Sequence, residues 1–141
     1  MREALAVAYQ HIVQYYETDK MGITHHSNYI RWMEEARVRF LKESGLSFSQ
    51  MEEMGISSPV VSVDCKYKAP TYFEDAIDIE IFTESVVGVK LRIKYIMKNA
   101  DGKVVCEGHS EHGFFKDGKP IIIEKSLPKF YDALMRSNNN G

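Results

Sequence analysis

One segment in the first third of the chain has an apolar face too wide for a helix that merely lies on a surface. Between about residues 28 and 44, apolar side chains recur at spacings of three and four, as along one face of a helix. That face consists of Tyr29, Met33, Ala36 and Phe40, widened by Ile30, Trp32 and Leu41. A helix of this kind has to be enclosed by other elements. The rest of the chain should therefore supply a surface that wraps around it.

The predicted helix also has a start and a polar side. Ser27 and Asn28 offer N-cap side chains at its beginning. Arg31, Glu35 and Arg39 follow one another at i,i+4 positions, which predicts ion pairs on a solvated face. We therefore expect Glu35 to form ion pairs with Arg31 and Arg39.

A glycine and a short second helix follow. Gly45 is expected to end the long helix, because glycine readily adopts the backbone angles of a helix C-terminus. Ser47 and Gln50 have the spacing of a capping box, and Gly55 is expected to end the short helix.

The remaining segments alternate between apolar and polar residues, which predicts half-buried strands. The predicted strands are 4–16, 61–69, 76–84, 89–97 and 103–116, with a short edge strand at 121–123. Gly88 and Asp101-Gly102 mark turns between them. Ser126 is expected to cap a last helix that ends near Met135. The sequence thus predicts an α+β fold, in which one antiparallel sheet curls around one helix.

Length and composition fit a single domain. The 141 residues predict one domain over 1–137 and a disordered tail at 138–141. The formal net charge of −2 gives no general attraction to nucleic acid or anionic membranes. We expect a cytoplasmic protein without a signal peptide or membrane span. Cys65 and Cys106 lie within apolar strand patterns and are interpreted as core residues, and no metal or cofactor is expected.

The loop before the long helix carries the most specific motif. Residues 15–29 have the sequence YYETDKMGITHHSNY, which resembles the active-site signature of hotdog proteins of the 4-hydroxybenzoyl-CoA thioesterase type, roughly Y-x-x-T-D-x-x-G-h-h-x-H-x-N-Y with h apolar. Thr24 departs from it by occupying an apolar position. The resemblance extends over about residues 5–135. The residues that match the signature are Asp19, Gly22, Ile23, His26, Asn28 and Tyr29.

The resemblance implies a hotdog fold of about five strands around the helix, and hydrolysis of an acyl-CoA or related thioester. It also implies a homodimer or homotetramer with active sites at the subunit interface. The acyl group stays open, as does the choice between coenzyme A and an acyl carrier protein.

By the same resemblance, Asp19 is the central catalytic residue. It would attack the thioester carbonyl directly or act as general base for a water molecule. The backbone N–H of His26, or of a neighbour, would stabilise the oxyanion at the helix N-terminus. The His26 ring is a second catalytic candidate. Gly22, Asn28 and Tyr29 are predicted to shape the substrate site.

Other readings of the site compete with this one. Glu34 or Glu35 could imitate the helix carboxylate of a second thioesterase family, although a solvated face fits them better. His109 and His112 lie on opposite faces of one strand and are interpreted as structural. A hotdog hydratase would need a histidine five residues after the aspartate, where this chain has Thr24. A non-catalytic acyl-CoA-binding module is the remaining alternative.

Overall fold

A five-stranded antiparallel sheet packs against one long helix in this protein, whose computed structural model describes residues 7–136. The order of strands in the sheet is β1-β4-β5-β6-β3, and a small second sheet has the order β2-β7-β8. The strands are β1 (Val7–Ile12), β2 (Ile56–Ser57), β3 (Val60–Tyr67), β4 (Ala76–Val87), β5 (Lys90–Lys98), β6 (Val104–His112), β7 (Phe115–Lys116) and β8 (Lys119–Pro120). The helices are α1 (Ser27–Glu43), α2 (Phe48–Met54), α3 (Ile123–Ser126) and α4 (Pro128–Arg136), with a 3-10 turn at Tyr15–Glu17.

The wide apolar face of α1 forms the centre of the core. Trp32, Ala36 and Phe40 are completely buried, as the helical spacing predicts. Alternate residues of the central strands, among them Ile79 and Ile93, are buried as well. The apolar face of the helix and the apolar face of the sheet therefore pack together as one layer of the core. The predicted α+β class with one central helix is confirmed.

The C-terminus of α1 ends as the sequence predicts. Gly45 has a φ of +95°, and its N–H donates to the carbonyl of Lys42 at 3.1 Å. The N–H of Leu46 donates to the carbonyl of Leu41 at 2.9 Å. These two bonds form a Schellman motif, for which glycine is the favoured residue.

The N-terminus of α1 differs from the prediction. The N-cap position is His26, and neither Ser27 nor Asn28 caps the helix with its side chain. Instead, the ring Nδ1 of His25 accepts the N–H of Ser27 at 3.2 Å. Asn28 is buried, and its side-chain NH2 group donates to the carbonyls of Glu17 and His25 in the preceding loop.

The predicted partners of Glu35 were wrong. Its carboxylate accepts from the hydroxyl of Tyr9 at 2.8 Å and lies 2.9 Å from Nδ1 of His11. Arg39 pairs with Glu43 at 3.4 Å instead. Strand β1 packs beside α1, and its fixed polar groups hold Glu35 better than exposed arginines on the same helix can.

Strand β3 exists, but the expectation that it is half-buried was wrong for the isolated chain. Val61 and Tyr67 are 51% and 47% exposed, although their alternation is that of a buried face. The reason is its place at the edge of the sheet, where it pairs only with β6. Its outer side is therefore a row of unpaired backbone groups beside apolar side chains.

The C-terminal third differs from the prediction in three details. The strand expected over 103–116 is divided into β6 and β7, because the buried Phe114 turns into the core between them. The strand predicted at 121–123 was wrong, since Ile123 begins α3. Ser126 is the last residue of α3 and does not cap α4, which begins at Pro128, where proline suits the first helical position.

Several predictions fall at the limits of the described chain. The beginning of the first predicted strand, the domain end at 137 and the tail at 138–141 lie wholly or partly outside residues 7–136. Within that range, Cys65 is half-buried and Cys106 is buried, and both are free thiols. No helix in the same range is long and apolar enough to cross a membrane.

Candidate active site

The loop between β1 and α1 presents Asp19 on a tight backbone turn. The N–H of Asp19 donates to the carbonyl of Ile23 at 2.8 Å, and the N–H of Gly22 donates back to the carbonyl of Asp19 at 3.0 Å. Gly22 has a φ of +81°, which explains why a glycine is required there. The carboxylate Oδ1 of Asp19 accepts the N–H of Met21 at 2.8 Å. Within the described chain its Oδ2 accepts no hydrogen bond.

The buried carboxylate of Glu17 holds this loop in place. Glu17 accepts the backbone N–H of Gln14 at 2.9 Å and the indole N–H of Trp32 at 2.9 Å, and lies 2.8 Å from Nε2 of His11. Burial alone would raise the pKa of Glu17, but the hydrogen bonds from Gln14, Trp32 and His11 outweigh it and lower that pKa below its ordinary value. Glu17 therefore remains charged at neutral pH.

The backbone of Glu17 ties the loop to the start of α1. Its carbonyl accepts the N–H of His25 at 2.8 Å and the side-chain amide of Asn28 at 3.0 Å. Asn28 also donates to the carbonyl of His25 at 3.2 Å. The loop that carries Asp19 and the N-terminus of the long helix thus form one hydrogen-bonded unit.

His26 lies at the end of this unit, with an unused backbone donor. Its N–H has no hydrogen-bond partner among residues 7–136, in contrast to the N–H groups of His25, Ser27 and Asn28. Its ring stacks on that of His25 with centroids 4.4 Å apart. Its carbonyl accepts the hydroxyl of Tyr67 from the edge strand at 3.3 Å. A free N–H beside the positive end of a helix suits a developing negative charge.

Asp19 and His26 border the same cavity, which has a volume of about 400 Å³. Tyr29 forms part of its wall and is buried, with its hydroxyl 3.0 Å from Oγ1 of Thr71. The cavity is lined by Asp19, Ile23, Thr24, His25, His26, Tyr29, Tyr67, Lys68, Ala69 and Pro70. Asp19 also borders a second, larger cavity, which is lined by Tyr15, Tyr16, Thr18, Asp19, Lys20 and Gly22.

The predicted site residues thus divide into two groups. Asp19, His26 and Tyr29 line one cavity. Gly22 and Asn28 act on the backbone around it and do not line it. The residues that sequence reasoning missed are those that hold the loop: Glu17 and its partners His11 and Trp32 were given no role in the site.

The other candidates lie away from this cavity. Glu34 pairs with Arg37 through both carboxylate oxygens, and Glu35 with strand β1. His109 faces outward, 3.1 Å from Asp64, whereas His112 is buried. No group of three His, Cys, Asp or Glu side chains within the described part of the chain is arranged to hold a metal ion.

Comparison with known proteins points to one family. Residues 13–133 match the family model of the thioesterase-like superfamily. A protein of Aquifex aeolicus, provisionally named an esterase, is 35% identical over 119 residues, which are 84% of this chain and 92% of that protein. YneP of Bacillus subtilis, provisionally named an acyl-CoA thioesterase, is 34% identical over 123 residues, which are 86% of this chain and 89% of YneP.

Solved structures agree in fold. The DHNA-CoA thioesterase from Staphylococcus aureus superimposes with a TM-score of 0.85 at 28% identity, covering 93% of this chain and 89% of that one. This likeness confirms the hotdog fold that the loop motif and strand order predicted.

Proposed function

The chain belongs to the thioesterase-like superfamily, and from this membership we propose that it hydrolyses acyl-coenzyme A to a free acid and coenzyme A. The observation that carries the proposal is one cavity bordered by the carboxylate of Asp19 and by the N-terminus of α1. A thioester carbonyl placed between them would meet an attacking oxygen on one side and a hydrogen-bond donor on the other.

Asp19 would bring about the attack on the thioester carbonyl by one of two routes. As a nucleophile, its free Oδ2 bonds to the thioester carbon, the C–S bond breaks, and coenzyme A leaves as a thiolate that takes up a proton. Water then cleaves the mixed anhydride and regenerates the carboxylate. As a general base, Asp19 instead removes a proton from a water molecule that attacks the same carbon.

The residues around Asp19 would divide the remaining work. The His26 N–H would donate to the oxyanion, and the His26 ring could protonate the leaving thiolate. Gly22 would hold the turn, Asn28 would fix the helix N-terminus, and Tyr29 would form the wall against which the acyl group packs.

The proposal includes a homodimer or homotetramer. The exposed edge of β3 supports pairing with a second copy, because apolar side chains and unpaired backbone groups would both be covered. Tyr67 of this strand lines the cavity, so the interface would lie beside the active site. A cytoplasmic location is part of the same proposal, since both described cysteines are free thiols.

The test is thiol release from a panel of acyl-CoAs by the unaltered protein and by Asp19→Asn. This substitution keeps the size of the side chain but removes its charge and its nucleophilic oxygen. We expect kcat to fall about a hundredfold or more. The matched control is Asp101→Asn in the exposed β5–β6 turn, which should leave the rate unchanged.

Other outcomes would select other functions. Binding of acyl-CoA without any thiol release would favour the non-catalytic module, and loss of enoyl-CoA absorbance would favour a hydratase. Full activity of Asp19→Asn with thiol release intact would remove Asp19 from the mechanism.

A further inference from the structure

Three buried hydroxyl groups meet at the catalytic cavity, the one that Asp19 and His26 border. The Oγ1 atoms of Thr24 and Thr71 lie 2.6 Å apart, and the hydroxyl of Tyr29 lies 3.0 Å from Oγ1 of Thr71. Thr71 is completely buried, and Thr24 and Tyr29 are buried as well. Thr24 and Tyr29 line the catalytic cavity, whereas Thr71 lies outside that lining. These three residues form a hydroxyl cluster.

One direction of the hydrogen bonds gives each hydroxyl proton of the cluster an acceptor. The hydroxyl of Thr24 donates to the carbonyl of Thr71 at 3.1 Å. Thr71 then donates to Oγ1 of Thr24, and Tyr29 donates to Oγ1 of Thr71. A buried hydroxyl costs free energy unless it is hydrogen-bonded, so each member of the cluster depends on the others.

The cluster accounts for the departure of Thr24 from the loop signature. Thr24 occupies a position where the signature has an apolar residue, and it is buried there as an apolar residue would be. A hydroxyl in such a position needs a polar partner. Thr71, which is 47 positions away in the chain, supplies that partner with both its hydroxyl and its carbonyl. The two threonines therefore act as a pair.

Thr71 belongs to a segment between β3 and β4 that is tied at both ends. At one end, the N–H of Lys68 donates to the carbonyl of Val105 in β6 at 2.8 Å. At the other end, the N–H of Tyr72 donates to the carboxylate of Asp75 at 2.8 Å, and the N–H of Asp75 donates to the carbonyl of Tyr72 at 3.0 Å. These bonds hold the segment in place independently of the loop between β1 and α1.

The loop that carries Asp19 is connected to this segment. Ile23, whose carbonyl accepts the N–H of Asp19 at 2.8 Å, forms a β-bridge with Tyr72. The N–H of Thr24 donates to the carbonyl of Thr71 at 2.9 Å. The side-chain bonds of the hydroxyl cluster reinforce this connection and extend it to α1. Thr71 therefore joins the turn of Asp19 and the long helix to one fixed segment.

Both connected parts contribute to the catalytic cavity. The loop and α1 supply Asp19 and Tyr29, and the segment after β3 supplies Ala69 and Pro70, which directly precede Thr71 in the chain. A change in the separation of these parts would change the shape of the cavity. Catalysis is sensitive to shifts of about 1 Å in the placement of reacting groups. The distance from a bound thioester carbonyl to Asp19 should therefore depend on the cluster.

We propose that Thr24 and Thr71 are positioning residues of the thioesterase reaction, whose hydroxyl groups hold Tyr29 and the turn of Asp19 against the segment that follows β3. The inference rests on the proposed function and adds two residues to it. Neither threonine transfers a proton or attacks the thioester. They act through Tyr29 and Asp19, because these residues determine where the thioester carbonyl lies relative to the carboxylate.

The experiment separates the hydroxyl of Thr71 from its methyl group. Thr71→Val keeps the shape of the side chain and removes the hydroxyl, whereas Thr71→Ser keeps the hydroxyl and removes the methyl group. The substrate is the acyl-CoA that the unaltered protein hydrolyses fastest. For Thr71→Val we expect kcat to fall about tenfold and KM to change less than about threefold, because binding is distributed over the whole ligand whereas the cluster places one carbonyl. Thr71→Ser should keep kcat within about threefold of the unaltered protein.

Substitution of both threonines tests whether they act as a pair. Thr24→Val alone should lower kcat about as much as Thr71→Val, because each single change leaves the other hydroxyl without its partner. The double variant removes both hydroxyls and should be no slower than the slower single variant, whereas two independent tenfold effects would give a loss of about a hundredfold. If Thr71→Val does not fold, as judged by circular dichroism, Thr24→Val and Thr24→Ser are compared in its place.

Thr83→Val is the matched control. Thr83 is a completely buried threonine of β4, and its hydroxyl has no hydrogen-bond partner within the described chain. Valine at this position makes the same change in the side chain without breaking a hydrogen bond, so kcat should stay the same. Urea unfolding of each variant shows whether activity merely follows stability, since a structural role alone would lower the folded fraction and leave kcat per folded molecule unchanged.

Two results would overturn the inference. Full kcat in both valine variants would show that the hydroxyl groups do not position the site. An equal loss in Thr71→Val and Thr71→Ser would show that the packing of the methyl group matters and the hydrogen bonds do not. Absence of thiol release from every acyl-CoA by the unaltered protein would instead contradict the proposed function, and the inference with it.

Discussion

At the scale of single residues, the site depends on a carboxylate that is not proposed to touch the substrate. Glu17 is 4% exposed and fixes the loop two residues before Asp19. Its pKa lies below the ordinary 4.5, because hydrogen bonds to the ionised form outweigh the burial that would raise it. Folding therefore favours ionised Glu17. The resulting stabilisation is complete well above pH 4.5 and is lost as the pH falls through the folded pKa.

Glu17→Gln should accordingly cost stability in a pH-dependent way. At pH 7 we expect a loss of about 2 kcal/mol in the free energy of unfolding, since charge-assisted bonds to Trp32 and His11 become neutral or are lost. The difference from the unaltered protein should narrow as the pH falls below about 4.5 and then through the lower pKa of folded Glu17, below which the carboxyl group is protonated in both states. Urea unfolding at several pH values measures this, with the exposed Glu53→Gln as control.

Gly22 allows a test that separates strain from function. Its φ of +81° and the φ of +60° at Gly88 are both unfavourable for alanine, and neither position has an atom within 4 Å of an added Cβ. Gly22→Ala and Gly88→Ala should therefore lose a similar stability of about 1 kcal/mol. Thiol release should fall only for Gly22→Ala, because its turn carries Asp19. Equal activity of the two variants would show that the loop tolerates the change.

At the scale of elements, the start of α1 is fixed by donors that reach back to the preceding loop. Asn28 donates to the carbonyls of Glu17 and His25, and His25 donates to Glu17 from its backbone. A conventional N-cap would satisfy the helix alone. This arrangement instead joins the helix N-terminus to the loop of Asp19, so the two should move as one body.

Asn28→Ala should uncouple them. We expect a loss of about 1–2 kcal/mol in stability from the two side-chain hydrogen bonds that are removed, together with a fall in kcat. Ser47→Ala is the matched control, because it removes the capping bond of α2, between Ser47 and Gln50, at a similar cost of about 1 kcal/mol. The control should keep full activity per folded molecule. A similar loss of kcat in both variants would indicate a general effect of stability.

At the scale of the whole molecule, the chain has a buried core under α1 and an open edge at β3. The apolar side chains of that strand alternate with polar ones as if one face of the strand were covered, yet Val61 and Val63 are 51% and 40% exposed. One chain cannot cover them, because β3 is the last strand of its sheet. A second copy placed against this edge would complete the pattern.

Val61→Lys should therefore dissociate the proposed assembly. A charge on the edge strand opposes pairing between copies, and we expect a shift to monomer in sedimentation velocity with a parallel loss of thiol release. Val87→Lys, at the exposed end of β4, is the control and should leave the assembly intact. An unaltered protein that sediments as a monomer would contradict the proposal directly.

The sequence by itself determined the elements whose signals are local. The long helix, its glycine end, the capping box at Ser47 and the turns at Gly88 and Gly102 all depend on spacing and on residues with special backbone freedom. The loop motif likewise indicated Asp19, His26 and Tyr29, which the structure gathers around one cavity. Hydrophobic periodicity and backbone preferences depend on residues that are close together in the chain, so they can be recognised from the sequence.

Only the tertiary structure decided which partners the polar groups found. The alternation of β3 could not reveal an edge position, because strand order depends on distant segments. Glu35 has arginines at helical spacing, yet it pairs with Tyr9 and His11 of a neighbouring strand. In the same way, the hydroxyls of Thr24 and Thr71 pair although the two residues are 47 positions apart in the chain. Burial and hydrogen bonding select partners by distance in space, which sequence spacing does not encode.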